Sequence, residues 1–289
     1  GKIKALMLYS FLSWKVVKLS LLISIVLSFL FLLVQLVHLD QVLFKTPFVE
    51  SFTFLGLWFL YFVSYFLPSS FFVSSSWLIF ELKESKKLSV LASFGIDPKV
   101  LFFKIFWVSS PLLFSALLVG YFIRQEDVSY MKKLFVYKYY TEVVKTIPEK
   151  SFYTFGGITI RIENREGDLL KGVFLKMDDF SISAGQAQFK GDELILKDGS
   201  LVVKKDDKYY LTKFKTYELT ISKLFVPEKK RREAYLLQVM NVVFAVLFAF
   251  LLFQITLRWI NKHTKLYYTL GLVLLIHHIT LILLKTKLS

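Results

Sequence analysis

The sequence predicts an α-helical integral membrane bundle with an inserted all-β domain, a sandwich, jelly roll or barrel. Three observations carry that expectation. Five apolar stretches, Leu19–Leu39, Phe52–Phe80, Leu101–Ile123, Leu236–Leu257 and Leu266–Leu284, are each long enough to cross a bilayer. A hydrocarbon core of roughly 30 Å needs about 20 mostly apolar helical residues. Between the third and fourth stretches the hydrophobic period falls from helical to two, the mark of half-buried strands. The charge is also unevenly placed. Residues 125–226 hold 17 Lys+Arg against 15 Asp+Glu, so most of the net charge of +15 lies around the apolar stretches.

The domain boundaries follow. Residues 1–124 hold three spans, 125–226 a neck and the β domain, and 227–289 two more spans. Composition agrees: 55% of residues are hydrophobic, 18% are aromatic, and the mean hydropathy is +0.54. Cysteine is absent, which excludes disulfides and thiolate metal sites. The first apolar run is too long for a signal h-region and reads as a retained anchor.

Orientation follows from basic residues near helix ends. Lys2, Lys4, Lys15 and Lys18 precede span one. Lys83, Lys86, Lys87, Lys99 and Lys104 lie between spans two and three, and Arg258, Lys262 and Lys265 between the last two. The loop from Asp40 to Glu50 carries Lys45 alone. These clusters place the N-terminus in the cytoplasm and the insert on the far side, with Lys229–Arg232 as a smaller opposing vote. Basicity of this kind is a topology signal, not a nucleic-acid footprint.

Span two contains Pro68, which removes a backbone donor and kinks a helix interior. Ser69, Ser70, Ser74, Ser75 and Ser76 follow it. Groups freed in lipid need partners inside the protein, and small residues let helices approach closely. The expectation is a kinked span packed on its neighbours, with a substrate-lining surface as the sharper alternative. Residues 81–100, ELKESKKLSVLASFGIDPKV, show a partial apolar stripe of Leu82, Leu88, Leu91 and Ala92. Gly95 ends that segment, and Asp97-Pro98 opens the next helix. A short amphipathic helix over about 81–97 is expected, lying at the headgroups or docking a cytoplasmic partner.

The insert opens with a charged helical neck, Gln125–Glu149. Strand candidates follow at Ile158–Ile162, Gly172–Lys176, Ala187–Phe189, Leu194–Leu196, Leu201–Val203 and Tyr217–Ile221. Turn signals separate them at Glu166-Gly167-Asp168, Lys190-Gly191-Asp192 and Lys197-Asp198-Gly199. Short strands at even spacing argue for a sandwich, jelly roll or barrel.

Catalytic patterns are missing. The chain has no GxxxxGK[ST], HExxH or GxSxG motif. His277 and His278 are adjacent, so on a helix they point about 100° apart and form no metal site by spacing. A polar residue within a span is nevertheless a functional candidate, although the pair also suits a headgroup position. Gln35, His38, Gln41 and Lys45 gather with Asp40 at the outer end of span one. They suit either an anionic lipid, since ammonium pairs with phosphate, or ordinary interfacial anchoring.

Three segments together reach a family: the Lys-flanked first span ending near Asp40, ELKESKKLSVLASFGIDPKVL at 81–101, and SFYTFGGITIRIENREGDLLKGVFLKMDD at 151–179. In these segments the chain resembles the LptF/LptG (YjgP/YjgQ) permeases of the lipopolysaccharide-export ABC transporter. The resemblance implies a second LptF/LptG-like permease and an LptB-like ATPase dimer that holds ATP and Mg. It implies LptC- and LptA-like periplasmic proteins, lipopolysaccharide as cargo, and an inner-membrane location with the β domain in the periplasm. Spans one and five would line the lateral gate, and the β domain, Ser151–Ile221, would be a jelly roll that carries acyl chains or contacts the bridge. Glu81, Glu84, Lys87, Leu88, Leu91 and Gly95 would form the ATPase-coupling element. Gln35, His38, Gln41 and Lys45 would meet lipid.

Two departures stand out. Lys87 occupies the position where the family usually carries a glutamate, so Glu84 or Glu81 would replace it. Five spans are readable where the family has six, which implies a divergent, shortened member with Lys285–Ser289 outside. The alternative is a membrane-anchored scaffold whose β domain binds a periplasmic protein without transport.

Overall fold

The computed structural model describes residues 2–45, 48–123, 144, 146–155, 158–177, 179–190, 193–220 and 231–288. The helices are α1 (Lys2–Lys45), α2 (Phe48–Glu84), α3 (Lys87–Ser93), α4 (Pro98–Phe122), α5 (Arg231–Trp259) and α6 (His263–Leu288). Among the described residues, all but α3 are long and apolar enough to cross a membrane. The strands lie between α4 and α5: β1 (Phe152–Phe155), β2 (Ile158–Glu166), β3 (Leu169–Lys176), β4 (Phe180–Lys190), β5 (Glu193–Lys205) and β6 (Lys208–Thr220). Helices and strands form two separate compact units.

The helical unit is apolar inside and outside. Phe71, Phe72, Ile79, Leu101, Ile105, Leu252 and Leu266 are fully buried in one core. Phe29, Leu30, Trp107, Phe114, Leu247 and Ile279 are exposed. A helix bundle with that outer surface is a solute of lipid, not of water. The chain is a multi-pass membrane protein.

Buried serines explain how closely α2 approaches its neighbours. Ser69, Ser70, Ser74, Ser75 and Ser76 are all buried. Each hydroxyl donates to a carbonyl three or four residues back in its own helix, as Ser74 Oγ does to the Ser70 oxygen at 2.7 Å. With their polar atoms turned inward they act as small packing residues.

Pro68 does not end α2. It lies inside a continuous helix and leaves the Ser64 carbonyl, four residues back, without its backbone donor. Gln238 of α5 supplies one, Nε2 to the Ser64 oxygen at 2.9 Å. In α4 the same problem is solved within the helix. Pro111 frees the Trp107 carbonyl, and Ser110 Oγ donates to it at 2.7 Å.

The insert is one six-stranded antiparallel sheet among the described residues, in the order β1-β2-β3-β4-β5-β6, each strand beside its chain neighbour. Ile162, Ile182, Leu196 and Ala187 form the centre of its apolar face. Val144 and Ile147 pack on that face, and Arg165 Nη2 donates to the Val144 carbonyl at 2.5 Å. Most of the expected neck lies outside the described residues.

The turn expected at 197–199 does not exist. Leu194–Leu196 and Leu201–Val203 belong to one strand, β5, whose pairing with β4 and β6 stays in register across Asp198. Asp198 takes a φ of 54°, which aspartate tolerates, so the chain is locally re-aimed without reversing. Gly199 is required by a close approach. A Cβ there would collide with the Ser183 carbonyl of β4 and the Phe214 ring of β6. The reversal comes at Asp206-Asp207, with φ 50° and 59° between the paired Lys205 and Lys208. Two positive φ values mark a type I′ hairpin turn. Gly167-Asp168 closes the β2–β3 hairpin where the sequence signal put it, with Gly167 at φ 60°.

Candidate functional site

Glu81 and Glu84 belong to the last turn of α2, not to a separate helix. The break falls at Ser85–Lys86, where Lys86 adopts φ 58°, and α3 spans only Lys87–Ser93. The expected amphipathic helix over about 81–97 is therefore two elements with a left-handed hinge between them. Leu82 and Leu88 are buried in the helical core, and Leu91 packs against it. Lys87, Val90 and Phe94 are exposed, Phe94 by 79%.

Gly95 has a defined local role. It takes φ 79°, its N–H donates to the Ala92 carbonyl at 2.9 Å, and the Ile96 N–H donates to the Leu91 carbonyl at 3.0 Å. That pair of bonds is a Schellman stop with glycine in the left-handed position. Leu91 and Ile96, the two residues such a motif brings together, both pack on the core. Space for a Cβ at Gly95 is open, so the backbone conformation alone selects glycine. Asp97 then caps α4, accepting from the Lys99 N–H at 2.7 Å, with Pro98 in the first turn.

The last turn of α2 holds three other helices. Lys15 of α1 lies 3.7 Å from Glu81. Glu84 meets His263 Nε2, at the start of α6, at 2.9 Å. Between them Lys83 Nζ donates to the Thr256 and Ile260 carbonyls at 3.0 and 2.9 Å and to Asn261 Oδ1 at 2.9 Å. A cation at a helix C-terminus contributes up to about 2 kcal/mol when partly buried. The two carboxylate pairs are half exposed and contribute about 0–1 kcal/mol each.

A second polar cluster lies inside the bundle. Asn241 Nδ2 donates to the Tyr65 carbonyl at 2.9 Å, and its Oδ1 lies 2.8 Å from His277 Nε2. With the amide so oriented, His277 must donate from Nε2, which leaves the buried Nδ1 without a partner. His278 is held on both sides. Its Nε2 lies 3.1 Å from Ser69 Oγ, and its Nδ1 lies 3.2 Å from the Tyr65 hydroxyl. Ser69 donates to the Phe66 carbonyl, so its oxygen accepts from Nε2 and Tyr65 donates to Nδ1. The two histidines bind α6 to α2 and α5. No cluster of His, Cys, Asp or Glu suited to a metal exists among the described residues.

Of the expected lipid contacts, Gln35 is half-buried on α1. The side chains of His38, Gln41 and Lys45 lie outside the described residues. Sequence reasoning missed Lys83, Asn241, Gln238 and His263. In the sequence Lys83 reads only as a topology charge. The signal for the amides was present: Gln238 and Asn241 are carboxamides three apart in an apolar span, in a chain with a proline inside another span.

Residues 11–236 match the family model described as lipopolysaccharide export system permease LptF/LptG. An uncharacterized protein of Aquifex aeolicus (strain VF5) is 28% identical over 291 residues, covering 98% of this chain and all of the relative.

Proposed function

The chain belongs to the LptF/LptG family of lipopolysaccharide export permeases, and from that premise we propose that it is a permease subunit driven by a separate ATPase. It takes lipopolysaccharide from the inner membrane and passes it to a periplasmic bridge. An LptB-like ATPase dimer supplies the ATP and Mg chemistry, and a second LptF/LptG-like permease completes the membrane part. LptC- and LptA-like proteins receive the lipid from the β domain, which lies in the periplasm. α1 and α6 line the lateral gate, with Gln35, His38, Gln41 and Lys45 near the lipid.

The observation that best supports this reading is α3. A seven-residue helix is seated on the core by Leu88 and turns Lys87, Val90 and Phe94 outward. An anchor has no need of an exposed, twice-hinged helix between two spans. A subunit that receives motion from a soluble partner does. Glu81 and Glu84 are engaged with Lys15 and His263, so the ATPase meets Lys87 and the apolar end of α3 first.

Native mass spectrometry of the protein extracted gently from its own membranes tests the reading. The expected particle holds this chain, a second permease, two ATPase copies and a glycolipid. A particle with a periplasmic protein alone would support the scaffold alternative and overturn the permease reading.

A further inference from the structure

We propose that Lys83 is the positioning residue that makes the end of α2, on which α3 is hinged, and the α5–α6 turn move as one body. The transport consequence rests on the permease reading above, but the linkage itself rests only on geometry. Lys83 stands three residues before the left-handed hinge at Lys86. Its ammonium fills the end of α5, with two carbonyl acceptors and the Asn261 side-chain oxygen at 2.9–3.0 Å. An ammonium has three protons, and here all three are directed to one turn of chain. Next to it Glu84 holds His263, the first residue of α6. A push on α3 reaches the end of α2 through the core that Leu88 and Leu91 pack on, and from there the start of α6 through two polar links. Apolar contacts resist separation but slide readily, whereas three directed bonds fix orientation.

The native chain has no cysteine, so spin labels can be placed at Ser85→Cys, next to the end of α2, and Lys262→Cys, both exposed positions. The assembled complex, in liposomes containing lipopolysaccharide, gives two readouts: the Ser85–Lys262 label distance, and lipid released per ATP hydrolysed. The parent is expected to show a narrow distance distribution. Lys83→Met should broaden it and lower release per ATP by about fivefold or more, the usual size of a coupling effect. Lys83→Arg should restore the narrow distribution and hold release within about twofold of the parent. If Lys83→Met does not assemble, Lys83→Gln carries the same comparison. An unchanged distribution in the neutral variant overturns the proposal. A broadened distribution with unchanged release supports the linkage and overturns its transport consequence, making Lys83 a stabilising cap. Absence of release from the parent sinks the permease reading instead, while the distance measurement still decides the linkage.

Discussion

α2 and α5 exchange hydrogen bonds at two levels, in opposite directions. Inside the bundle, α5 donates: Gln238 and Asn241 serve the Ser64 and Tyr65 carbonyls of α2. At the α3 end, α2 donates: Lys83 serves the Thr256 and Ile260 carbonyls of α5. The inner contact is neutral and buried, and it lets a helix run on through a proline. The outer one is charged and partly exposed, and it stands beside a true helix break. Whether a helix continues is decided less by the residue that disrupts it than by what is available to satisfy the freed groups. Pro68 is bridged, whereas Ser85–Lys86, with no proline, is a hinge.

The inner level should be the more costly to break. Asn241→Leu removes the bonds to the Tyr65 carbonyl and to His277 and leaves the buried His277 Nε2 without this partner. A loss of about 2–3 kcal/mol is expected, read as reduced thermal stability in detergent. A loss indistinguishable from zero would mean that water replaces the amide.

Gly95 tests the stop of α3. Gly95→Val should destabilise the segment by about 1–3 kcal/mol through its positive φ, with Gly95→Ala smaller and Gly95→Asn smaller still. Protease nicking between α3 and α4 would report that order. Since a Cβ meets open space, equal effects of all three would point to a partner contact at Gly95 instead of backbone strain.

A double-mutant cycle sharpens the argument about Pro68. Gln238→Leu should cost about 1 kcal/mol in the parent. With Pro68→Ala, a backbone N–H again reaches Ser64, and the cost of losing Gln238 should fall by most of that amount. Additive effects would separate the amide from the proline. Smallest of all, Glu84→Gln should change stability by about 0.5 kcal/mol or less, and the difference should shrink further in high salt.

Much of this arrangement was legible in the chain. The spans were visible because lipid demands long apolar runs, and the start of α4 because Asp97-Pro98 and Gly95 have single local meanings. The β2–β3 turn was visible at Gly167-Asp168 for the same reason. The turn expected at Lys197-Asp198-Gly199 failed because the glycine answers to Phe214 and Ser183, residues on other strands. The real turn, Asp206-Asp207, lacks glycine and left little trace. Of the expected coupling residues, Glu84 and Glu81 proved to be bound within the chain, while Lys83 between them was overlooked. Charge pairing across α1, α5 and α6 depends on which helix ends meet, and no local pattern records that.

Sequence alone determined that this is a membrane chain with a β insert, that five stretches are long and apolar enough to span, and that it resembles a permease family. Those conclusions follow from free energies that act residue by residue, the transfer of apolar surface and the restricted backbone of proline and glycine. Tertiary structure decided which carbonyl each amide serves, which carboxylate is already engaged, and that α3 is hinged at Lys86. Such bonds form between residues more than 170 positions apart, and only the packing of one helix on another brings the partners within 3 Å.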